Sequence, residues 1–334
     1  MLLKELNMKK TLFAFAAAAL LLSSCSGKKS EKKSIAVFVP GIMADSPIYA
    51  KLAEGAQAAV EEFNSGKEDS EKAEIYIMEA GTNQAEWGPK VLSLAATQKY
   101  DVIISSNPSL PDLVKPVSAQ FPKQKFILLD AEMEGNQNVF TVAYEQTEEA
   151  YLTGYIAGLM SKNHKVALVS AQDYPAMNNV LYPNFERGAK DAFEGTTCDY
   201  RVVGNWYDAS KGMEISESLI KTGVDVILPI CGGASQGVIA SAVNNGTYIA
   251  WFDSNGFSKA PGTIISSAMV VQDKMTYEVT MKYLNDSVNW GAAEKAGLKE
   301  GYIEFIEDDP LYIQTVPETV RAKMNALVKE LQTK

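Results

Sequence analysis

Two aspartates close apolar runs in the same way: "FILLDAE" (126–132) delivers Asp130, and "YIAWFDSN" (248–255) delivers Asp253. An apolar run without alternation reads as a strand covered on both faces. A carboxylate at its tip then meets whatever lies beyond the sheet. Paired carboxylates accept hydrogen bonds from vicinal hydroxyls or ring N–H groups, and a pair can also run acid–base chemistry. Nearby segments supply flat rings, namely Tyr49, Trp87, Tyr174, Trp206, Tyr207 and Phe257. Stacked on a planar molecule, each ring contributes roughly 0.5–1.5 kcal/mol beyond burial. Asn107 follows one apolar run, and Gly232 and Gly233 follow another, where a missing side chain lets backbone N–H groups approach a ligand. Lys211 is the main basic residue in these segments. Phosphate and carboxylate ligands call for an arginine or lysine clamp, so a neutral or cationic ligand fits better. Simpler roles compete. Asp208 in "WYDASKG" reads first as a helix N-cap, and so does Asp45 or Ser46 ahead of Pro47; Asp130 and Asp253 could equally cap their following turns.

Positioning these residues falls to a unit written twice. Short β-rich runs start at Ile35, Glu74, Asp101 and Lys125, and again at Lys165, Arg201, Asp225 and Tyr248. The intervals are 39, 27 and 24 residues in the first set and 36, 24 and 23 in the second. Each gap holds one helical pattern, as in "SPIYAKLAEGAQAAVEEFN", which is the signature of parallel α/β structure. Two doubly wound lobes are expected: 34–146 with part of 254–334, and 147–253 with the rest. A single long sheet is the alternative. "GTIISSAMVV" and "GYIEFIEDD" read as further strands of the returning chain. Ligands of open parallel sheets sit beyond the carboxyl ends of the strands, so Asp130 and Asp253, ending equivalent units, would face each other across a cleft.

The amino terminus carries a different message. Two lysines precede "TLFAFAAAALLLSSC", a basic start with an apolar core too short to span a bilayer, and Met8 is the better initiator. A secretory signal over 1–24 is expected, with Cys25 lipidated and a flexible, lysine-rich tether over 26–33. One acyl chain holds a protein marginally and two or more hold it stably. The formal charge is −10, and removal of the signal makes the chain more acidic, which argues against nucleic acid as a partner. Cys198 and Cys231 then remain, and their pairing is left open. His164, the single histidine, sits in a polar turn away from the expected cleft. Metal-ligand spacing, a nucleophile elbow and a phosphate loop are all missing, so neither an enzyme nor a bound cofactor is expected.

"DSPIYAKLAEGAQAAV", "EEAYLTGYIAGLMSK", "VGNWYDASKGMEIS" and "GVDVILPICGGASQGV" together resemble the basic membrane protein family of substrate-binding lipoproteins. That family includes spirochaetal receptors for purine nucleosides and riboflavin. The likeness covers nearly the whole mature chain. It implies a type I periplasmic-binding-protein fold and delivery of a nucleoside-like solute to an ABC permease and ATPase. The family's stacking aromatic falls on Trp206 and its strand-end aspartates on Asp130 and Asp253. Its first loop differs here, reading Ala44-Asp45-Ser46-Pro47-Ile48-Tyr49, and Asn107-Pro108 stands where Gly-Phe is usual, which shifts the first-lobe ring to Tyr49. The resulting expectation is a monomeric, membrane-anchored extracytoplasmic receptor for a planar, uncharged heterocycle with hydroxyls. Riboflavin is slightly favoured over a purine nucleoside. The site would comprise Asp45, Ser46, Tyr49, Asn107, Asp130, Tyr174, Trp206, Asp208, Gly233 and Asp253. A nucleoside-modifying enzyme and a surface adhesin are the competing classes.

Overall fold

The computed structural model describes residues 32–333. The expected signal segment, Cys25 and the tether up to residue 31 lie outside the described residues. Lys32 and Lys33 end the expected tether. Lys32 pairs with Glu74, and the Lys33 ammonium donates to the Tyr283 carbonyl at 3.0 Å and to Asp286 at 2.6 Å.

From Ser34 the chain winds β1 (Ser34–Val39), α1 (Pro47–Asn64), β2 (Glu74–Glu79), α2 (Trp87–Ala96), β3 (Val102–Ser106), α3 (Leu110–Gln120), β4 (Lys125–Leu129) and β5 (Val139–Tyr144). It then passes through α4 (Gln146–Met160), β6 (Lys165–Ser170), α5 (Tyr182–Ala192), β7 (Thr197–Val202), α6 (Ala209–Lys221), β8 (Val226–Ile230), α7 (Ser235–Asn245) and β9 (Tyr248–Trp251). The last third supplies β10 (Ile264–Val270), α8 (Gln272–Leu284), β11 (Ala293–Ala296), β12 (Ile303–Phe305), α9 (Pro310–Thr315) and α10 (Glu318–Gln332).

Two six-stranded sheets result, ordered β11-β5-β4-β3-β1-β2 and β12-β10-β9-β8-β6-β7. Every neighbouring pair is parallel except β10 with β12. The two orders correspond strand for strand, so β4 and β9 occupy equivalent places. Central strands such as "VILPI" and "KFILL" are buried because helices cover both sheet faces. The edge strand β2, "EIYIME", alternates instead.

The chain changes sheet three times: from β5 into α4, from β10 into α8, and from β11 to β12. Hydrogen bonds tie these crossings together. Gln272, opening α8, accepts from the Tyr144 hydroxyl at 2.8 Å and the Ser106 hydroxyl at 3.2 Å. Glu148, in the first turn of α4, accepts the Leu298 N–H at 2.8 Å. Several parallel crossings near one line make a hinge between lobes.

Some boundaries differ from expectation. The strand placed from Arg201 to Trp206 is β7, running Thr197–Val202; Gly204, at φ 98°, turns the chain before Trp206. β7 is an edge strand whose mixed polar sequence hides it from a search for apolar runs. β11, "AEKA", escapes for the same reason. Cys198 and Cys231 are both free thiols. His164 is half-buried, its ring stacked on Phe193 with centroids 3.6 Å apart.

Candidate functional site

Both aspartates lie just past their strands, Asp130 one residue beyond β4 and Asp253 two beyond β9. Both take left-handed backbone, φ 51° and 65°. Aspartate tolerates that region better than most residues, and here the turn re-aims each side chain as the strand stops. The carboxyls come within electrostatic reach of each other from opposite sheets. Burial first, then the charge of Asp253, pushes the Asp130 pKa up to about 7. Asp253 is raised too, by burial. The mutual repulsion belongs to the pair rather than to either carboxyl. Water reaches Asp253 from the open side of the cleft even though protein walls it elsewhere, so its desolvation is milder than that of a sealed group.

Two groups of residues gather around this pair. On the first lobe, the Tyr49 hydroxyl accepts from the Asn107 amide at 3.1 Å. Burial raises the Tyr49 pKa, the Asn107 bond partly offsets this, and the charge of Asp130 adds to the rise, so Tyr49 lies within electrostatic reach of Asp130. Asn107 is braced in turn by the Ser109 N–H and hydroxyl, which donate to its Oδ1 at 2.9 and 2.6 Å. On the second lobe, Tyr174 and Trp206 meet with ring centroids 6.4 Å apart and planes tilted by 38°. Burial raises the Tyr174 phenol, followed by the negative charge of Asp253, which places this ring beside the same carboxyls. A cavity of about 310 Å³ lies between the lobes, bordered by Pro108, Asp130 and Tyr144 on one side and Ala176 and Val180 on the other. Lys295 stands at its edge, ion-paired with Glu132 at 2.7 Å. Among the described residues, no basic group acts on Asp130 or Asp253.

Other expected site residues have local duties. Ser46 caps α1, accepting the Tyr49 N–H at 3.4 Å. Asp45 closes the 3-10 turn Met43–Asp45 ahead of that cap. Asp208 caps α6, accepting the Lys211 N–H at 2.9 Å. The Lys211 ammonium pairs with Glu214 at 3.0 Å. Gly233 and its neighbour serve Trp206. A Cβ on Gly232 would meet the Trp206 carbonyl at 3.0 Å and its ring at 3.2 Å, and one on Gly233 the same carbonyl at 3.4 Å. Gly232 also sits at φ 57°, so it suits both the turn and the close fit.

Half of the candidate rings are not in the cleft. Trp87 is 4% exposed and donates its indole N–H to the Gly81 carbonyl at 2.8 Å. Phe257 is 1% exposed and packs on Tyr312. Tyr207 is 86% exposed to solvent.

Sequence reading missed Glu149. It lies in the first turn of α4, fully buried, and its Oε1 accepts the Asp253 backbone N–H at 3.2 Å. It was overlooked because a glutamate near a helix start normally serves the helix dipole in solvent. The available signal is its place at the head of a helix that turns largely apolar on all sides after the first turn, "AYLTGYIAGLM".

Residues 32–334 match the family model Bmp, described as ABC transporter substrate-binding protein PnrA-like. Basic membrane protein A2 of Borrelia garinii subsp. bavariensis is 26% identical over 310 residues, covering 90% of this chain and 88% of that protein. The ABC transporter nucleoside-binding protein BmpA of Lactococcus lactis subsp. cremoris is 27% identical over 152 residues, covering 44% of this chain and 42% of that protein. Among solved structures, an ABC transporter solute-binding protein from Aeropyrum pernix K1 superposes with a TM-score of 0.72 at 20% identity, covering 90% of each chain. The fold is that of the type I periplasmic binding proteins.

Proposed function

The chain belongs to the Bmp family of PnrA-like ABC transporter substrate-binding proteins, and from that premise we propose that it captures a planar, uncharged heterocycle bearing hydroxyls and presents it to an ABC permease and its ATPase. The observation that carries this reading is the meeting of Asp130 and Asp253, from equivalent strand ends of the two sheets, beside Tyr49, Tyr174 and Trp206. Carboxyls facing each other accept hydrogen bonds from ribose or ribityl hydroxyls and from ring N–H groups. A phosphorylated ligand would meet two like charges and no clamp.

Of the two candidate ligands, a purine nucleoside moves ahead of riboflavin. The Lactococcus relative is named as nucleoside-binding. Delivery from a lipidated Cys25 at an extracytoplasmic membrane face is part of the same proposal, and the protein acts as a monomer. Among the described residues, no helix is long and apolar enough to cross a membrane.

Native mass spectrometry of protein purified without refolding tests the ligand. A bound purine nucleoside, recovered chemically unaltered, supports the reading. A yellow protein carrying flavin absorbance puts riboflavin first, and a chemically converted product points to an enzyme. Trp206→Ala is expected to weaken binding by about tenfold or more through loss of stacking and burial. Trp206 is only partly buried against the core, so the ligand-free melting temperature should move little. Unchanged affinity by calorimetry would remove Trp206 from the site.

A further inference from the structure

Glu149 shows a combination found at no other carboxylate among the described residues: it is fully buried, one oxygen holds the backbone of a site aspartate, and the other oxygen is bonded to nothing. Its partner, the Asp253 N–H, belongs to the residue held at φ 65°. Left-handed backbone at a non-glycine residue persists only where its surroundings over-determine it. The Glu149 Oε1 contact is one such constraint here, and it bears on the direction in which the Asp253 side chain leaves the second lobe.

We propose that Glu149 is a positioning residue of the ligand site that works as a neutral carboxylic acid, anchoring the Asp253 turn and setting the alkaline limit of ligand capture. This deepens the solute-binding reading and rests on it. A buried carboxylate without a cation is among the most costly groups to desolvate. Among the groups facing Glu149, only the Asp253 N–H bond favours its charge, while the carboxyls of Asp253 from the turn after β9 and Asp130 from the turn after β4 both repel it; the Tyr144 phenol at the end of β5, raised by burial and then by Asp130 and Glu149, adds no positive charge. The helices packed on α4 carry Arg187 and Lys190 of α5 and Arg321, Lys323 and Lys329 of α10, and none of these acts on Glu149; Lys190 is paired with Glu186 at 2.8 Å. Arg187 of α5 lies over the Tyr151 ring at 4.7 Å, and Arg321 of α10 donates to the Val316 carbonyl at 3.1 Å. Burial, then repulsion, holds the Glu149 carboxyl well above the usual carboxylate range. When protonated, its unbonded oxygen is an O–H rather than an anionic oxygen, which is cheaper to bury.

Two opposing pH limbs follow. Asp130 and Asp253 accept hydrogen bonds best when ionised, so protonation of the pair weakens capture on the acid side. Ionisation of Glu149 places a third charge against Asp253 and loosens its turn on the alkaline side. Calorimetric titration with guanosine, and in parallel riboflavin, between about pH 5 and 9 tests this in wild type, Glu149→Gln and Glu149→Ala. Glutamine keeps an acceptor for the Asp253 N–H and cannot ionise. It should hold the neutral-pH Kd within about threefold and abolish the alkaline limb, whereas alanine should lose about tenfold at every pH. An alkaline limb that survives in Glu149→Gln, or a glutamine variant as weak as alanine, would overturn the assignment.

Failure of both probes to bind would sink the ligand reading and leave Glu149 testable through the ligand-free protein. The unfolded chain releases the Glu149 proton near its ordinary value of 4.5 while the folded state retains it. Stability therefore falls as pH rises above that value. The fall should be shallower in Glu149→Gln; parallel melting profiles would refute the neutral acid.

Discussion

Asp253→Asn is expected to weaken ligand capture by about thirty- to a hundredfold while raising the melting temperature of the ligand-free protein at pH 8. The two effects have one cause. Asparagine is close to isosteric and tolerates left-handed backbone, so φ 65° is retained, whereas alanine would add strain of about 1–2 kcal/mol there. What changes is the charge. An anionic acceptor for two hydroxyl or N–H donors becomes a neutral group with a single acceptor oxygen. Hydrogen bonds to charged partners contribute about 1.5–3 kcal/mol each, which sets the expected loss for one or two of them. The gain in stability follows from the raised carboxyl. Its folded-state value lies above its ordinary value of 3.8, so the unfolded chain gives up its proton first as pH rises. Stability is then lost progressively from about pH 4 upward through the folded-state value. Removing the group removes that loss, along with its repulsion of Asp130 and Glu149. Because water reaches Asp253, the gain will be smaller than full desolvation implies. Calorimetry and thermal melts at pH 5 and pH 8 check both halves. Undiminished affinity would take Asp253 out of the site, and an unchanged or lower melting temperature at pH 8 would refute the idea that its carboxyl is held at a cost.

The trade-off explains which parts of the candidate site sequence could disclose. Asp130 and Asp253 stood out because an apolar, doubly covered strand has no use for a carboxylate, so its presence at the tip demands a reason outside the sheet. The repeated spacing alone puts β4 and β9 in equivalent positions. Rings were harder. Tyr49, Tyr174 and Trp206 look no different in sequence from Trp87 and Phe257, because an aromatic after a strand folds inward or outward according to its turn, and Gly81 gives Trp87 a carbonyl partner inside. Tyr207 follows Trp206 directly yet points into solvent. Asp208 and Ser46 illustrate the opposite bias: a polar residue before a helix has work to do at the helix end. Glu149 was concealed because its importance lies in a contact between residues 104 positions apart. Spacing along one helix carries no trace of such a contact.

Helix packing supports the second-lobe half of the proposed site, and Gly154→Val should therefore destabilise the protein more than any single cleft substitution. The helix α4, which carries Glu149, crosses α5 so closely that even the Cβ of alanine at position 154 would lie 2.0 Å from the Phe185 carbonyl oxygen. The obstacle is backbone, and it is backed by Phe185, which is fully buried, so neither helix can yield by rotating a side chain. The approach is reciprocal: a Cβ on Gly188 of α5 would come within 2.2 Å of the Tyr151 carbonyl. Forced overpacking of this kind costs about 3 kcal/mol or more. With roughly 2–4 °C lost per kcal/mol in a chain of this size, the melting temperature should fall by on the order of 10 °C. Valine's branched Cβ adds a smaller penalty from restricted χ1 in a helix. Separating α4 from α5 also displaces the first turn of α4, so the Glu149 contact to Asp253 should weaken and ligand affinity should fall together with stability. A contrasting substitution, Gly66→Asn, sits at φ 73° with open space around it and should change the melting temperature by less than about 1 °C, because asparagine tolerates that backbone region. Equal melting temperatures for Gly154→Val and wild type would mean that the two helices separate without cost, and the rigid platform assigned to Asp253 would go with them.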